Sequence, residues 1–408
     1  MTTQRTRSKP PISSAEFVAL IALLMSIVAL SIDALLPALG VLRTDLRLST
    51  PNQAQYVISA LFLGMAFGQL LFGPLSDAIG RKPPLYIGLL LFFLGSAIGQ
   101  SAETLIQMFA GRVIQGFGVA GPYVCAISIV RDKYSGRQMA KVMSLIMMIF
   151  FVVPAIAPSL GQLVLNVANW RHIFTLYMIY AVALTIWLFF RLEETLPADR
   201  RSHFRARDLA KGFSEVVRNR TTLGYTVCIG LFFGGFIGYL NSSQQIFQEQ
   251  FGTGKMFTLY FGMLALILGS ASLISAKVVE RLGMRYLCSR ANISIIVASA
   301  GFLALNVFLP IQLWMFLVYA SVLFFCFGFM FGNLNAMAME PMGHLAGIAS
   351  AVIGMVSSVL SIVIGTLIGQ LYNGTLVPLT AGFLSLGVLS LLTMGSTPKP
   401  SISLQSSA

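Results

Sequence analysis

The chain has 408 residues, of which 56% are hydrophobic and only 10% are charged. Soluble domains carry roughly a quarter of charged residues, so this composition excludes an ordinary soluble protein and indicates a polytopic membrane protein. The formal net charge is +13, and the placement of the basic residues, described below, explains it without a nucleic-acid partner.

The first apolar run extends from about residue 17 to residue 42 and follows a short basic segment. This run is too long for the apolar core of a signal peptide and more spans follow it, so we predict a retained first helix. Each later run is close to the roughly 20 residues that cross a bilayer. These runs predict eleven further helices near residues 53–73, 84–101, 105–130, 142–165, 172–190, 221–247, 257–276, 288–309, 312–336, 346–372 and 376–395.

One extended hydrophilic segment divides the twelve predicted spans six and six. A degenerate repeat supports a duplicated chain, because Glu280 and Gly283 stand at the spacing of Asp77 and Gly80 in the first half. We therefore predict an all-α integral membrane protein with two pseudo-symmetric six-helix halves. Its parts are an N-terminal segment 1–16, a bundle 17–190, a linker 191–220, a bundle 221–395 and a tail 396–408.

Most of the 27 Lys and Arg residues fall in the termini and in alternate loops, and only four fall in the opposite loops. By the positive-inside rule the richer side is cytoplasmic. Both termini and the linker are therefore expected in the cytoplasm, and the bilayer is the expected surrounding of the helices.

A dense cluster of glycine, proline and charge, GPLSDAIGRKP at residues 73–83, separates the second and third predicted spans. Its prolines and Gly80 are expected to end the helices and form a tight cytoplasmic loop. The pattern Gly73-x-x-x-Asp77-x-x-Gly80-Arg81-Lys82 resembles the signature of the major facilitator superfamily, most closely that of its drug:proton antiporters. The resemblance implies the fold of that superfamily and secondary active transport, with no enzymatic activity.

The same loop suggests a conformational gate. The end of the fourth predicted span lies at the same membrane face, so Asp77 is expected to contact its basic end, at Arg131, and to hold that face closed. We assign the gate to Gly73, Asp77, Gly80, Arg81 and Arg131.

Two charged residues lie inside predicted spans. Asp33 is an acid within the first span, where a central Asp costs about 2.5–3.5 kcal/mol on insertion scales, so it is a functional candidate or half of an ion pair. Arg112 lies in the fourth span at a similar depth, roughly 12–14 Å from the outer boundary at 1.5 Å per residue. Its motif Arg-x-x-Gln-Gly-x-Gly resembles the superfamily's fourth-helix signature, whose arginine is implicated in proton coupling. We expect both residues to serve proton coupling, with a structural ion pair as the alternative.

The fifth predicted span contains Pro154, Pro158 and Gly161, which are expected to bend the helix and open a smooth face for a neighbour. This pattern resembles the antiporter signature of drug exporters. It departs from that signature at Val153 and Ala157, where glycines are common.

Matches along almost the whole chain, including Trp170-Arg171 and Glu194-Thr-Leu-Pro197, resemble the Bcr/CflA subfamily of drug-resistance transporters. Leu35 and Leu61 stand where that subfamily often has tyrosine. Several polar residues inside or near the spans are expected to line a substrate cavity. They are Gln55, Tyr56, Gln115, Tyr239, Asn241, Gln244, Gln245 and Asn335.

The leading hypothesis is a multidrug efflux antiporter of a bacterial inner membrane, which exports amphipathic small molecules in exchange for protons, as a monomer and without a cofactor. No metal site is expected, because the histidines fall at loops and the four cysteines stand singly. The alternative is a transporter of a defined metabolite such as a siderophore, sugar or amino-acid derivative. A membrane enzyme or channel is disfavoured, because the sequence has no nucleotide-binding loop, paired catalytic carboxylates or filter-like motif.

Overall fold

The computed structural model describes residues 12–201 and 206–398. Within these ranges twelve helical segments are long and apolar enough to cross a membrane, which confirms the predicted all-α membrane fold. Residues 1–11, 202–205 and 399–408, which belong to the predicted N-terminal segment, linker and tail, lie outside the described residues.

The helices of the first half are α1 (Ser14–Asp33), α2 (Leu39–Asp45), α3 (Tyr56–Ile79), α4 (Lys82–Gln100), α5 (Leu105–Lys133), α6 (Gly136–Val167) and α7 (Arg171–Arg191). The linker contains α8 (Ala206–Arg218). The helices of the second half are α9 (Arg220–Gln244), α10 (Phe257–Leu282), α11 (Met284–Phe308), α12 (Leu313–Met339), α13 (Ala346–Gln370) and α14 (Val377–Ser396). A π-helical segment, Gln245–Gln250, extends α9.

Consecutive spans run in opposite directions, so the connections fall at two ends of the bundle. We call the end that carries the α3–α4 turn and the linker the linker end. We call the opposite end, which carries the α4–α5 and α9–α10 connections, the far end.

The first predicted span is broken near its middle. Helix α1 ends at Asp33, a 3-10 turn follows at Leu36–Ala38, and α2 continues the segment. Pro37 causes the break, because it has no backbone N–H and its ring clashes with the carbonyl group four residues earlier, which is that of Asp33. The sequence therefore places a charged residue at the irregular point of the span.

The polar loop predicted at residues 73–83 is much shorter than expected. Helix α3 continues through Pro74 to Ile79, and α4 begins at Lys82 with prolines in its first turn. A proline inside a helix removes one backbone hydrogen bond, and this helix tolerates the loss. Only Gly80 and Arg81 connect the two helices, and Gly80 has φ of 99°, which a residue with a side chain rarely adopts.

The spans pack mainly within each half. In the first half α5 packs against α3 and α4, and α6 packs against α1; in the second half α9 packs against α13 and α14, and α11 packs against α12 and α14. The largest contacts between the halves are those of α3 with α13 and of α6 with α10. This packing agrees with two six-helix halves, while the exact domain limits stay a prediction.

Gly161 lets α6 approach the backbone of α1 next to Asp33. A Cβ atom at this position would overlap the carbonyl oxygen of Ala34. We expect Gly161→Ala to push the helices apart and lower the free energy of unfolding by about 1–3 kcal/mol. Gly301→Ala on α11 is the control, because a Cβ there meets nothing within 4 Å. Thermal unfolding of both purified variants in detergent tests the expectation, and equal melting temperatures would contradict the close approach.

Candidate functional site

Asp33 is a buried acid at the break of the first span. The residue is only 5% exposed. Within residues 12–201 and 206–398 its carboxyl group has no hydrogen bond and no ion pair. A carboxyl group that is buried in an apolar bundle without a fixed partner can exchange a proton or a cation when access to it changes.

Arg112 on α5 is fully buried and bonds to oxygen atoms on three helices. Its Nε donates to the carbonyl oxygen of Val57 at 3.0 Å, and Nη2 donates to that of Ser31 at 2.9 Å. Its Nη1 donates to Oε1 of Gln115 at 2.6 Å. The hydroxyl of Tyr177 donates to the same Ser31 oxygen at 3.3 Å. Arg112 therefore joins α5 to α1 and α3 through backbone carbonyl groups.

Arg112 donates to the carbonyl oxygen of Ser31, which precedes Asp33 by two residues. Asp33 and Arg112 therefore lie at a similar depth along their helices, as the sequence predicted. An ion pair between Asp33 and Arg112 is absent from the described residues, since all three guanidinium nitrogens already donate to other oxygen atoms. The role of either residue in proton coupling stays a prediction.

A charge network occupies the linker end between α3 and α5. Arg81 is 2% exposed, pairs with Asp77, and donates from Nε to Asp132 at 2.7 Å and from Nη1 to Oγ of Ser76 at 2.8 Å. Burial by itself would lower the pKa of Arg81, but the carboxylates of Asp132 and Asp77 outweigh burial and raise this pKa. Arg81 is therefore charged and fixed in this position.

The network corrects the contact expected for Asp77. No ion pair joins Asp77 to Arg131 in the described part of the chain; the partner of Asp77 is Arg81, and the acid that α5 contributes is Asp132. A Cβ at Gly347, in the first turn of α13, would lie 3.3 Å from Oδ2 of Asp77. Asp77 thus also approaches the start of a helix of the second half, where a carboxylate is favourable.

Glu194, near the start of the linker, binds the turn between α3 and α4. Its carboxylate accepts hydrogen bonds from the backbone N–H groups of Arg81 at 2.9 Å and Lys82 at 3.1 Å. Burial by itself would raise the pKa of Glu194, but its bonds from backbone N–H groups outweigh burial and lower this pKa. The Glu194 side chain therefore caps the start of α4. It also links the segment that follows α7 to the turn that carries Arg81.

A cavity of about 360 Å³ lies between the two halves. It reaches the linker end at Asp77 and Arg131. At its deep end Phe62 of the first half contacts Phe233 of the second, with ring centroids 5.7 Å apart, and Phe233 contacts Phe331 at 5.3 Å. The rest of the wall is mixed: aliphatic side chains such as Met65 and Ile127 alternate with polar groups, namely Gln69, Tyr123, Ser128, Asn335, Ser350, Ser357 and Ser358. The wall combines aromatic rings with amides and hydroxyls.

An uncharged hydrogen-bond network, which we call the amide cluster, joins the halves at the far end. Asn52 donates to the carbonyl oxygens of Gln370 at 3.0 Å and Tyr372 at 2.9 Å, and Gln370 Nε2 donates back to the Asn52 carbonyl oxygen at 2.8 Å. Gln245 donates to Asn52 Oδ1 at 2.9 Å and accepts from Gln55. The cluster is completed by Ser59, Asn241 and Thr366. These bonds close the far end between the halves.

Of the eight residues predicted to line the substrate cavity, Asn335 lies in the wall of the cavity described above. The other seven lie elsewhere, in the amide cluster, next to Arg112, on α9 or at the start of α3: Gln55, Tyr56, Gln115, Tyr239, Asn241, Gln244 and Gln245. The sequence assigned no role to Asp132 and Glu194. The signals were present, since Asp132 follows Arg131 at a helix end and Glu194 begins a motif that matches the subfamily.

The chain belongs to the Major Facilitator Superfamily, whose sequence profile matches residues 21–366. It is 31% identical over 361 residues to the uncharacterized MFS-type transporter YdgK of Bacillus subtilis, covering 86% of this chain and 88% of that protein. It is 26% identical over 364 residues to the bicyclomycin resistance protein homolog of Haemophilus influenzae, covering 89% and 91%. It is 30% identical over 326 residues to the multidrug resistance protein MdtL of Shigella dysenteriae, covering 79% and 81%.

A solved structure supports the fold. The xylose transporter XylE from E. coli, in a partially occluded inward open conformation, superposes with a TM-score of 0.72 at 14% identity, covering 95% of this chain and all of that one. At this identity the likeness concerns the fold alone. The family match and the relatives show that the chain is a membrane transporter of this superfamily, as the sequence predicted.

We expect Glu194→Gln to destabilise the protein in a pH-dependent way. A carboxyl group whose pKa is lowered on folding stabilises the folded state above its unfolded pKa, near 4.5, and loses this effect as the pH falls through its folded pKa. The melting temperature of Glu194→Gln should therefore be lower than that of the wild type at neutral pH, and the gap should narrow below pH 4.5. Glu193→Gln, at the neighbouring exposed position, is the control. A gap that is constant with pH would exclude this capping role.

We expect Gln245→Leu to favour opening of the far end. The substitution keeps the side-chain size and removes two hydrogen bonds of the amide cluster, worth about 1 kcal/mol together, or roughly a fivefold change in the ratio of states. Pulsed paramagnetic resonance distances between spin labels at Glu103 and Lys255 measure that ratio. Gln312→Leu is the control, because its amide bonds within its own half. An unchanged distance distribution in Gln245→Leu would show that the cluster does not hold this end closed.

Proposed function

We propose that this transporter is a proton-coupled exporter of amphipathic small molecules, a member of the drug:proton antiporters related to the Bcr/CflA subfamily. The names of two relatives, a bicyclomycin resistance protein homolog and a multidrug resistance protein, support this assignment. The observation that carries it is the buried Asp33 without a fixed partner, in a bundle that also holds a cavity of mixed polarity.

The proposal places the linker end in the cytoplasm of a bacterial cell and the chain in the inner membrane, with both termini cytoplasmic. The distribution of basic residues supports this orientation, because most of them belong to segments at the linker end. In this orientation the cavity faces the cytoplasm and the amide cluster closes the outer side. A substrate enters from the cytoplasm in this arrangement.

In the proposed mechanism Asp33 carries the proton. Arg112 fixes the carbonyl groups beside it, so the region around Asp33 keeps its shape while the carboxyl group gains or loses a proton. Proton uptake from outside and release to the cytoplasm accompany the opposite movement of the substrate. Pro154, Pro158 and Gly161 lie on α6, which packs against α1 and α10, and we propose that this helix transmits the change between the halves.

Alternating access then requires that one end of the bundle is closed whenever the other end is open. The amide cluster closes the far end in the present arrangement. The gate of Gly73, Asp77, Gly80 and Arg81, with Arg131 at the cavity mouth, closes the linker end when the halves rock. We propose that Asp77 approaches the start of α13 further in that state.

The cavity supports an amphipathic substrate, since its aromatic deep end suits an apolar part and its amides and hydroxyls suit polar groups. The same polar groups favour a second candidate, a defined polar metabolite. No cofactor is required in the proposal, the proton is the coupling ion, and a monomer is sufficient. Transport of a panel of dyes, antibiotics and siderophores into reconstituted vesicles, with and without a pH gradient, distinguishes the two substrate classes.

We expect Asp33→Asn to abolish substrate accumulation driven by a pH gradient while the protein stays folded, because the amide keeps the shape and cannot release a proton. Downhill movement of the substrate should persist. Glu103→Gln, which removes an exposed far-end acid, is the control and should behave as the wild type. Gradient-driven accumulation by Asp33→Asn at the wild-type level would remove Asp33 from the mechanism.

A further inference from the structure

Tyr239 on α9 has a fixed ring and an uncommitted hydroxyl. The residue is 2% exposed. Its ring stacks on Phe261, with centroids 6.0 Å apart, and meets Phe324 edge-on at 4.9 Å. Its buried hydroxyl has no hydrogen-bond partner among residues 12–201 and 206–398. Buried tyrosine hydroxyls ordinarily find a partner, so this one marks a position where a partner is present only part of the time.

The hydroxyl and Asp33 belong to the same region between the halves. The turn Leu36–Ala38, which follows Asp33, packs against α9. Further toward the far end, a Cβ at Gly40 would lie 3.0 Å from the amide nitrogen of Gln244, also on α9. Tyr239 lies five residues before Gln244 on α9, so along the helix axis it is nearer the level of the break than Gln244 is. Asp33 and Tyr239 are thus two buried polar groups without partners in the described residues, on segments of opposite halves that pack together.

The other groups near Asp33 are already committed. Arg112 on α5 donates to carbonyl oxygens and to Gln115, and Tyr177 on α7 donates to the carbonyl oxygen of Ser31. Helix α6, the main neighbour of α1, contains no titratable residue after Lys141. All of these groups belong to the first half. Tyr239 is a donor of the second half that has no acceptor among the described residues.

We propose that Tyr239 is a positioning residue for proton coupling, whose hydroxyl donates a hydrogen bond to Asp33 when Asp33 is ionised and is released when Asp33 binds a proton. The inference rests on the proposed role of Asp33 as the proton carrier. The present arrangement, in which neither group has a partner, corresponds to the released state. Loss of the proton from Asp33 then draws α9 toward the break in the first span. The protonation state of Asp33 thereby controls the contact between the two halves.

Tyr239→Phe tests the proposal, because it removes the hydroxyl and keeps the ring between Phe261 and Phe324. Infrared titration of the purified protein follows the carbonyl band of the protonated acid, which Asp33→Asn assigns by its loss. A hydrogen bond to the ionised form favours that form. In Tyr239→Phe we therefore expect the midpoint of the titration to move to higher pH by about one unit, a tenfold change in proton affinity.

Tyr86→Phe is the matched control, since Tyr86 on α4 has another buried hydroxyl without a partner in the described residues and lies in the first half. Its midpoint should equal that of the wild type. An unchanged midpoint in Tyr239→Phe, or an equal shift in Tyr86→Phe, would overturn the inference and leave the role of Asp33 intact. A wild-type protein in which no band depends on Asp33 would overturn the proposed proton carrier itself.

Discussion

The constraint on which this structure depends is the cost of placing an ionisable group in an apolar bundle. The two central charged residues, Arg112 and Asp33, differ in how this cost is offset. Arg112 donates hydrogen bonds to backbone and side-chain oxygen atoms, which stabilise its charge in this arrangement. Asp33 has no such shell, so its charge depends on what reaches it. One residue is thereby suited to hold the helices together, and the other to change state.

The polar contacts at the two ends of the bundle differ in their chemistry. At the linker end a buried Arg81 lies between Asp77 and Asp132, and such a charged network is strong but needs all its members, since an unpaired buried charge is costly. At the far end the bonds are between neutral amides and hydroxyls. Water can replace these bonds at little cost, which suits contacts that must break and form again.

The backbone is irregular near Asp33 and near the amide cluster. The first span breaks at Asp33, and the π-helical segment Gln245–Gln250 begins within the amide cluster, at the end of α9. π-helical turns and broken spans are frequent at functional sites, because they release backbone groups and re-aim side chains. Helices α1 and α9, one from each half, therefore both have an irregular segment close to where the first span packs against α9.

Much of this protein is determined by its sequence. Long apolar runs fix the twelve spans, because a bilayer core leaves a backbone few alternatives to a helix, and the polar linker fixes the division into halves. The sequence also indicated Asp33, Arg112 and the Asp77–Arg81 motif as candidate functional residues, because charge is rare within or beside spans. The prediction that the loop begins near Pro74 was wrong, because one missing backbone hydrogen bond does not end a packed helix.

The partners of these residues were decided only by the tertiary structure. Residues that share a depth can point in different directions, so equal depth did not make Asp33 and Arg112 an ion pair. Amides such as Gln55 and Gln245 are equally suited to a cavity wall and to a contact between halves, and only the packing of α3 against α13 and α9 selected the contact. Sequence patterns give the position of a side chain along its own helix, whereas its partner depends on the rotation of that helix against the others.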